Sequence, residues 1–196
     1  MAAGKEAIGL FGGSFDPVHN GHLSIARSFL DSGYISALWI LLTPNPPHKI
    51  EQSLTSYELR LQMLKRAFAE WEDVTISDIE DRLPNPSYTV QTVRHLAKAY
   101  PGKNFYLCIG EDSAHHFTSW HRWREILSYC ELLVAHRPYD KELELDPEVA
   151  RDAHVIDHKP INISSTEVRN LIQSDGDISG LVPASVQDFI HQNNPY

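Results

Sequence analysis

Short unbroken apolar runs alternate along this chain with segments in which apolar residues recur every three or four positions. The runs Ala7–Phe11, Ala37–Thr43, Val74–Ser77, Asn104–Ile109 and Glu131–His136 read as buried strands, and His154–Asp157 as one more. Between them lie helical patterns. Asn20 to Ser32 carries Leu23, Ile25, Ala26, Phe29 and Leu30 on one side, and Thr55 to Glu70 carries Tyr57, Leu61, Leu64 and Phe68. Tyr88 to Ala99 reads as a helix that stops before Pro101-Gly102, and Ser113 to Ser128 is helical in part. Ser165–Gln173 and Ala184–Gln192 read as C-terminal helices. Strands alternating with helices predict an α/β fold built on a Rossmann-like, doubly wound parallel sheet. Ligands of such sheets bind outside the carboxyl ends of the strands.

Length and composition narrow this. A chain of 196 residues that is 42% hydrophobic and 22% charged suits a single domain spanning 1–196. The apolar run Leu38–Leu42 is far too short to span a bilayer, and the segment MAAGKEAIGLFGG has no apolar stretch of signal-peptide length, so the expected compartment is the cytoplasm. Cys108 and Cys130 sit in apolar surroundings and read as buried free thiols. The acidic stretch Asp140–Asp152 reads as a surface excursion. The formal charge of −9 argues against a nucleic-acid partner, because phosphate contacts need a basic surface. A small anion remains possible if local donors and helix N-termini supply what the net charge lacks.

Such donors cluster directly after the first strand, in Gly12-Gly13-Ser14-Phe15-Asp16-Pro17-Val18-His19-Asn20-Gly21-His22. The segment is neither a Walker A loop nor GxGxxG. Its adjacent glycines let the backbone approach a ligand and adopt φ values that other residues avoid. His19 and His22 lie three apart at a helix start, on one face, and read as the source of positive character, with Gly21 clearing space between them. Near the other end, Asn162-Ile163-Ser164-Ser165-Thr166-Glu167-Val168-Arg169 fits a helix start with Ser164 as N-cap and Glu167 completing a capping box, Arg169 following as a forked donor. Pro46-Pro47-His48-Lys49 forms a stiff loop that presents a cation. Two histidines without a third ligand make an incomplete metal site, and no spacing among His115, His116 and His121 fits a zinc pattern. No protein metal site is expected.

The string GGSFDPVHNGH resembles the HxGH signature of the nucleotidylyltransferase superfamily, and its FDP and VHNGH context resembles the nicotinate-nucleotide adenylyltransferases in particular. Class I aminoacyl-tRNA synthetases carry a similar HIGH motif, but this chain is too short for one and lacks a basic face. The segments PPHK, SYTVQT, IGED, SW and NISSTEVR follow in the order the adenylyltransferase family has them. The resemblance implies adenylyl transfer from ATP to nicotinate mononucleotide, giving nicotinate adenine dinucleotide and pyrophosphate.

It also implies the sites. ATP would be bound by Gly12, Gly13, Ser14, Phe15, His19, His22, Gly110 and Asp112, with Ile163, Ser164, Ser165, Thr166 and Arg169 on its distal phosphates. The catalytic residues would be His19, His22 and Arg169. The mononucleotide would take Lys49, the Ser87-Tyr88-Thr89 helix start for its carboxylate, and Trp120 for its ring. His121 stands where the family has an aromatic residue. Mg²⁺ would be bound mainly through ATP phosphates. The expected partners are these two small molecules, with no nucleic acid, no membrane, and a monomer or homodimer. Other readings are transfer to nicotinamide mononucleotide or phosphopantetheine, a non-enzymatic nucleotide-binding module, and a histidine-rich metal-binding protein.

Overall fold

The computed structural model describes residues 6–46, 54–137 and 143–196. The strands are β1 (Glu6–Gly13), β2 (Ala37–Leu42), β3 (Val74–Ser77), β4 (Lys103–Gly110), β5 (Glu131–His136) and β6 (Ala153–Asp157). The helices are α1 (Asn20–Asp31), α2 (Tyr57–Ala67), α3 (Thr89–Ala99), α4 (Glu111–His115), α5 (Trp123–Leu127), α6 (Pro147–Ala150), α7 (Ser165–Gln173) and α8 (Ala184–Asn193). The strands form one sheet in the order β3-β2-β1-β4-β5-β6, every pair parallel. The chain direction across the sheet reverses between β1 and β4, so the crevice at their carboxyl ends is the switch point of the fold.

Alternation along the strands builds a core on each face. Leu38, Ile40, Leu42, Cys108 and Leu133 pack with Ala26 and Phe29 of α1, Met63 and Leu64 of α2, and Val168, Val186 and Ile190 of the terminal helices. Ile8, Leu10, Leu107, Ile109, Leu132 and Val134 pack on the other side with Val90, Val93 and Leu96 of α3 and Ile126 of α5. Helices cover both faces, as doubly wound sheets require. Gly9 sits where a Cβ would lie 2.6 Å from Ile35 and 2.7 Å from Leu38, so β1 presses closely on the first of these cores.

The predicted elements hold, with informative differences. β1 runs on through Gly12 and Gly13, because both continue the parallel ladder with Leu41 and Leu42. α2 starts later than Thr55, at a Ser56 cap that accepts from the Leu59 N–H. Its buried stripe is Arg60, Met63, Leu64 and Ala67, so Leu61 stands at the stripe's edge and an arginine occupies its centre. The helical stretch after β4 breaks into α4, a 3₁₀ turn at Phe117–Ser119 and α5, with Arg122 left-handed at φ 56°. The described part of the acidic stretch is anchored rather than loose. Asp146 caps α6, Val149 is buried, and Leu143 and Leu145 pack against the core.

Both cysteines are buried free thiols. Burial raises both pKa values, that of Cys130 to about 12, which keeps both protonated. Among the described residues no helix is long and apolar enough to cross a membrane.

Candidate active site

A cavity of about 960 Å³ opens at the carboxyl ends of the strands, on the switch point. Gly12, Gly13, Ser14, Phe15 and His22 line one wall, from the end of β1, the turn after it and the start of α1. Gly110 comes from the end of β4, Asp112 from the start of α4, and Ser165 from the start of α7. Ser87, Tyr88, Thr89 and Trp120 line the opposite end. The N-termini of α1, α3 and α7 therefore reach the same space. Neither α1 nor α3 carries an acidic residue in its first turn, so no carboxylate there repels an anion, although the Asn20 N–H already donates to the Leu181 carbonyl and the Tyr88 N–H to that of Pro86. A chain of net charge −9 thus offers local anion sites made largely of backbone.

The turn after β1 is held from behind. Ser165 Oγ donates to the Pro17 carbonyl at 2.9 Å, and Arg169 Nη1 donates to the Asp16 carbonyl at 2.6 Å. Arg169 Nη2 reaches Thr166 Oγ1 at 3.2 Å. Ser164 is the N-cap of α7 and accepts from the Glu167 N–H, as the capping pattern predicts. Arg169, Ile163, Ser164 and Thr166 lie next to the cleft rather than on its wall. The positive φ of the turn falls on Phe15, at 45°, and on neither Gly12 nor Gly13. This corrects the conformational argument for the glycine pair: it is needed for space. A Cβ at Gly12 would meet nothing within 4 Å, and one at Gly13 would lie 2.9 Å from the Phe15 ring.

The two histidines stack, with ring centroids 3.7 Å apart. The His19 N–H donates to His22 Nδ1 at 3.2 Å. That bond makes Nδ1 an acceptor, so neutral His22 carries its proton on Nε2. Phe15 packs edge-on against His22 at 4.9 Å. Gly21 does clear space, since a Cβ there would sit 3.0 Å from His19 Nδ1 and 3.4 Å from the Ile161 carbonyl.

His19 itself is 6% exposed and off the cleft wall, and burial lowers its pKa to about 4. It is uncharged at neutral pH, so the expectation that both histidines supply positive charge is corrected for His19: desolvation favours the neutral ring. The unfolded chain protonates this histidine near pH 6.5 and the folded chain only near 4. Stability from this group is therefore intact above about 6.5 and is lost as pH falls towards 4. Urea unfolding should show roughly 2 kcal/mol less stability at pH 5 than at pH 7.5 from His19. His19→Asn should remove most of that difference, leaving the smaller slope from His158, which burial also shifts downward. An unchanged pH slope in His19→Asn would refute this.

At the far end, Ser87 N–H donates to the Asn45 carbonyl at 3.2 Å, tying the start of α3 to the loop after β2. The Ser87 hydroxyl is buried without a hydrogen-bond partner among the described residues. His121 lines the cleft and stacks on Tyr88 at 4.4 Å, so the ring that departs from the family pattern still supplies an aromatic face. Trp120 packs on Phe117 at 5.3 Å. Lys49 lies outside the described residues.

Among the polar lining residues, Thr43 and Glu80 escape the sequence reading. Thr43 directly follows β2, and Glu80 sits in the 3₁₀ turn after β3, 6% exposed, accepting from Thr92 Oγ1 at 2.8 Å. Burial raises the Glu80 pKa, against the Thr43 and Thr92 hydroxyls. Nothing in its sequence context separates it from the exposed acids around it. Among the described residues no group of three or more His, Cys, Asp or Glu side chains could hold a metal ion.

Comparison with known proteins agrees with this geometry. The family described as cytidylyltransferase-like matches residues 10–171. A probable nicotinate-nucleotide adenylyltransferase of Flavobacterium johnsoniae is 37% identical, covering 96% of this chain and 98% of its own. One from Bacteroides fragilis is 36% identical over 97% of this chain and 94% of its own. A nicotinic acid mononucleotide adenylyltransferase of Plasmodium falciparum, solved in complex with APC, shares the fold with a TM-score of 0.78 at 19% identity, covering 96% of both chains. The chain is a member of the cytidylyltransferase-like family and, within it, of the nicotinate-nucleotide adenylyltransferases.

Proposed function

We propose that this protein transfers the adenylyl group of ATP to nicotinate mononucleotide, forming nicotinate adenine dinucleotide and pyrophosphate in a late step of NAD synthesis, with residues 1–196 acting as one nucleotidylyltransferase unit. The observation that carries the reading is one cleft on the switch point, lined by the first turns of α1, α3 and α7 and by Trp120. Full-length relatives bearing that name support it.

The acceptor phosphate is already a nucleophile at neutral pH, so the chain needs no general base. It has to bring two anions together and offset charge at the α-phosphorus. In this proposal His22 donates from Nε2 to the α-phosphate, and His19 orients the phosphates as a neutral ring. Arg169 and the Ser164–Thr166 helix start hold the β- and γ-phosphates, with Ile163 in the loop before them. Gly12, Gly13, Ser14 and Phe15 bound the triphosphate, and Gly110 and Asp112 the adenosine. Lys49 meets the mononucleotide phosphate. The Thr89 N–H at the start of α3 takes its carboxylate, with Ser87 and Tyr88 beside it, and Trp120 stacks on the ring. Donors rather than carboxylates line the phosphate end, which suits a Mg²⁺ carried on phosphate oxygens and water. When bound, such an ion would offset part of the phosphate charge.

Protein incubated with ATP and nicotinate mononucleotide should release pyrophosphate and form the dinucleotide, and should do so faster than with nicotinamide mononucleotide. A preference for the amide would overturn the acceptor assignment, and acceptor-independent pyrophosphate release would overturn the reaction. Trp120→Ala should raise KM for the mononucleotide about 10-fold, the loss of one stacking contact of ~1–3 kcal/mol, with KM for ATP little changed. An effect on ATP alone would mean that Trp120 is not on the acceptor ring.

A further inference from the structure

Arg60 is the largest fully buried side chain described, 2% exposed, and it makes no hydrogen bond to a carboxylate among the described residues. Its donors go to four backbone carbonyls instead. Nε reaches Thr55 at 2.8 Å, Nη1 reaches Ser14 at 2.8 Å and Thr43 at 3.0 Å, and Nη2 reaches Pro44 at 3.3 Å. These carbonyls are not a random set. Ser14 belongs to the turn after β1 that lines the triphosphate end of the cleft. Thr43-Pro44 and Thr55 are the two shoulders of the connection that carries Lys49.

Asp16 works alongside. It is also 2% exposed, and its charge acts on Arg60. Its Oδ2 accepts from the Thr55 N–H at 3.2 Å and its Oδ1 from the Tyr196 hydroxyl at 2.9 Å. Its carbonyl takes Arg169. One buried cation and one buried anion thus fasten the triphosphate turn, the start of α7 and both shoulders of the acceptor connection to each other. A buried charge pair is a poor way to gain stability, since desolvation offsets much of the attraction. A guanidinium is well suited to fixing several carbonyls at set distances, because its donors lie in one rigid plane.

We infer that Arg60, braced through Asp16, is a positioning residue that holds Thr43–Asn45, to which the start of α3 is tied through Ser87, in register with the triphosphate turn. The inference rests on the adenylyl-transfer reading for what the two sides bind. Register matters for this chemistry, because a displacement of about 1 Å between reacting groups can cost on the order of 100-fold.

The test is Arg60→Lys, which keeps the charge and loses the fork, with Tyr196→Phe, which removes one hydroxyl from Asp16. Calorimetry with a non-hydrolysable ATP analogue alone, and with nicotinate mononucleotide alone, reads each side without turnover. In Arg60→Lys the mononucleotide affinity should fall about 10-fold and kcat by a similar factor, with analogue affinity changed less than about two-fold. Tyr196→Phe should move the mononucleotide affinity the same way by about three-fold. Parallel loss of both affinities with a falling melting temperature would overturn the inference, as would a folded Arg60→Lys protein with both unchanged. If Arg60→Lys does not fold, an unaltered mononucleotide affinity in Tyr196→Phe overturns it. Wild-type protein that binds both nucleotides yet forms no dinucleotide would instead refute the adenylyl-transfer reading.

Discussion

His22→Ala should lower kcat by roughly 100- to 1,000-fold, the usual cost of removing one donor aimed at charge that develops in the transition state. The ring lines the cleft, and the contacts that hold it include His19 at 3.7 Å, Phe15 edge-on at 4.9 Å, and the His19 N–H on Nδ1 at 3.2 Å. These leave the side chain little freedom to lose on binding, which is what preorganisation means physically. The fold should tolerate the change, because His22 is only half-buried and its helix is anchored by Ala26 and Phe29. ATP affinity should fall much less than kcat, since the interaction is strongest in the transition state. His22→Gln keeps an N–H donor and should recover part of the loss. Near-normal turnover in His22→Ala would end the assignment, as would an equal fall in ATP affinity and kcat/KM with kcat intact.

Most of what surrounds that ring was legible in the sequence. The strands were readable because a parallel sheet covered on both faces needs apolar residues at consecutive positions, as in Leu38–Leu42. Strand order was not readable from pattern alone. Which strands adjoin depends on where each helix packs, and apolar periodicity says that a face is buried without saying against what. The cleft motifs were legible because glycine, histidine and capping residues at fixed spacing have few reasons to coincide. Arg60 was not recognised. Yet Tyr57, Arg60 and Leu64 share one helical face, so an arginine on the apolar stripe of α2 was a usable signal. Glu80 gave none, because its burial comes from elements distant in sequence. The spacing of His19 and His22 places the two rings together but carries no information on desolvation, which is what leaves His19 uncharged.

Gly12→Val should weaken ATP binding on the order of 100-fold while leaving stability nearly unchanged, and the neighbouring Gly13→Val should do the reverse. The two glycines look equivalent in sequence, and neither has a positive φ, so a backbone argument cannot separate them. Space does. Gly12 is exposed to the cleft, and a Cβ there meets nothing within 4 Å, so a β-branched side chain would project into the volume proposed for the triphosphate. Its strand pairing with Leu41 is compatible with valine, which favours extended backbone. At Gly13 the added carbon would lie 2.9 Å from Cζ and 3.0 Å from Cε2 of Phe15. Phe15 is 1% exposed and held at φ 45°, so it has no room to yield. Overpacking there should cost about 1–3 kcal/mol of stability. Denaturant midpoints and equilibrium binding of an ATP analogue, measured on both variants, separate the effects. If Gly12→Val bound the analogue normally, the phosphates would not lie against β1, and the proposed course of the triphosphate past His22 to the start of α7 would have to be abandoned.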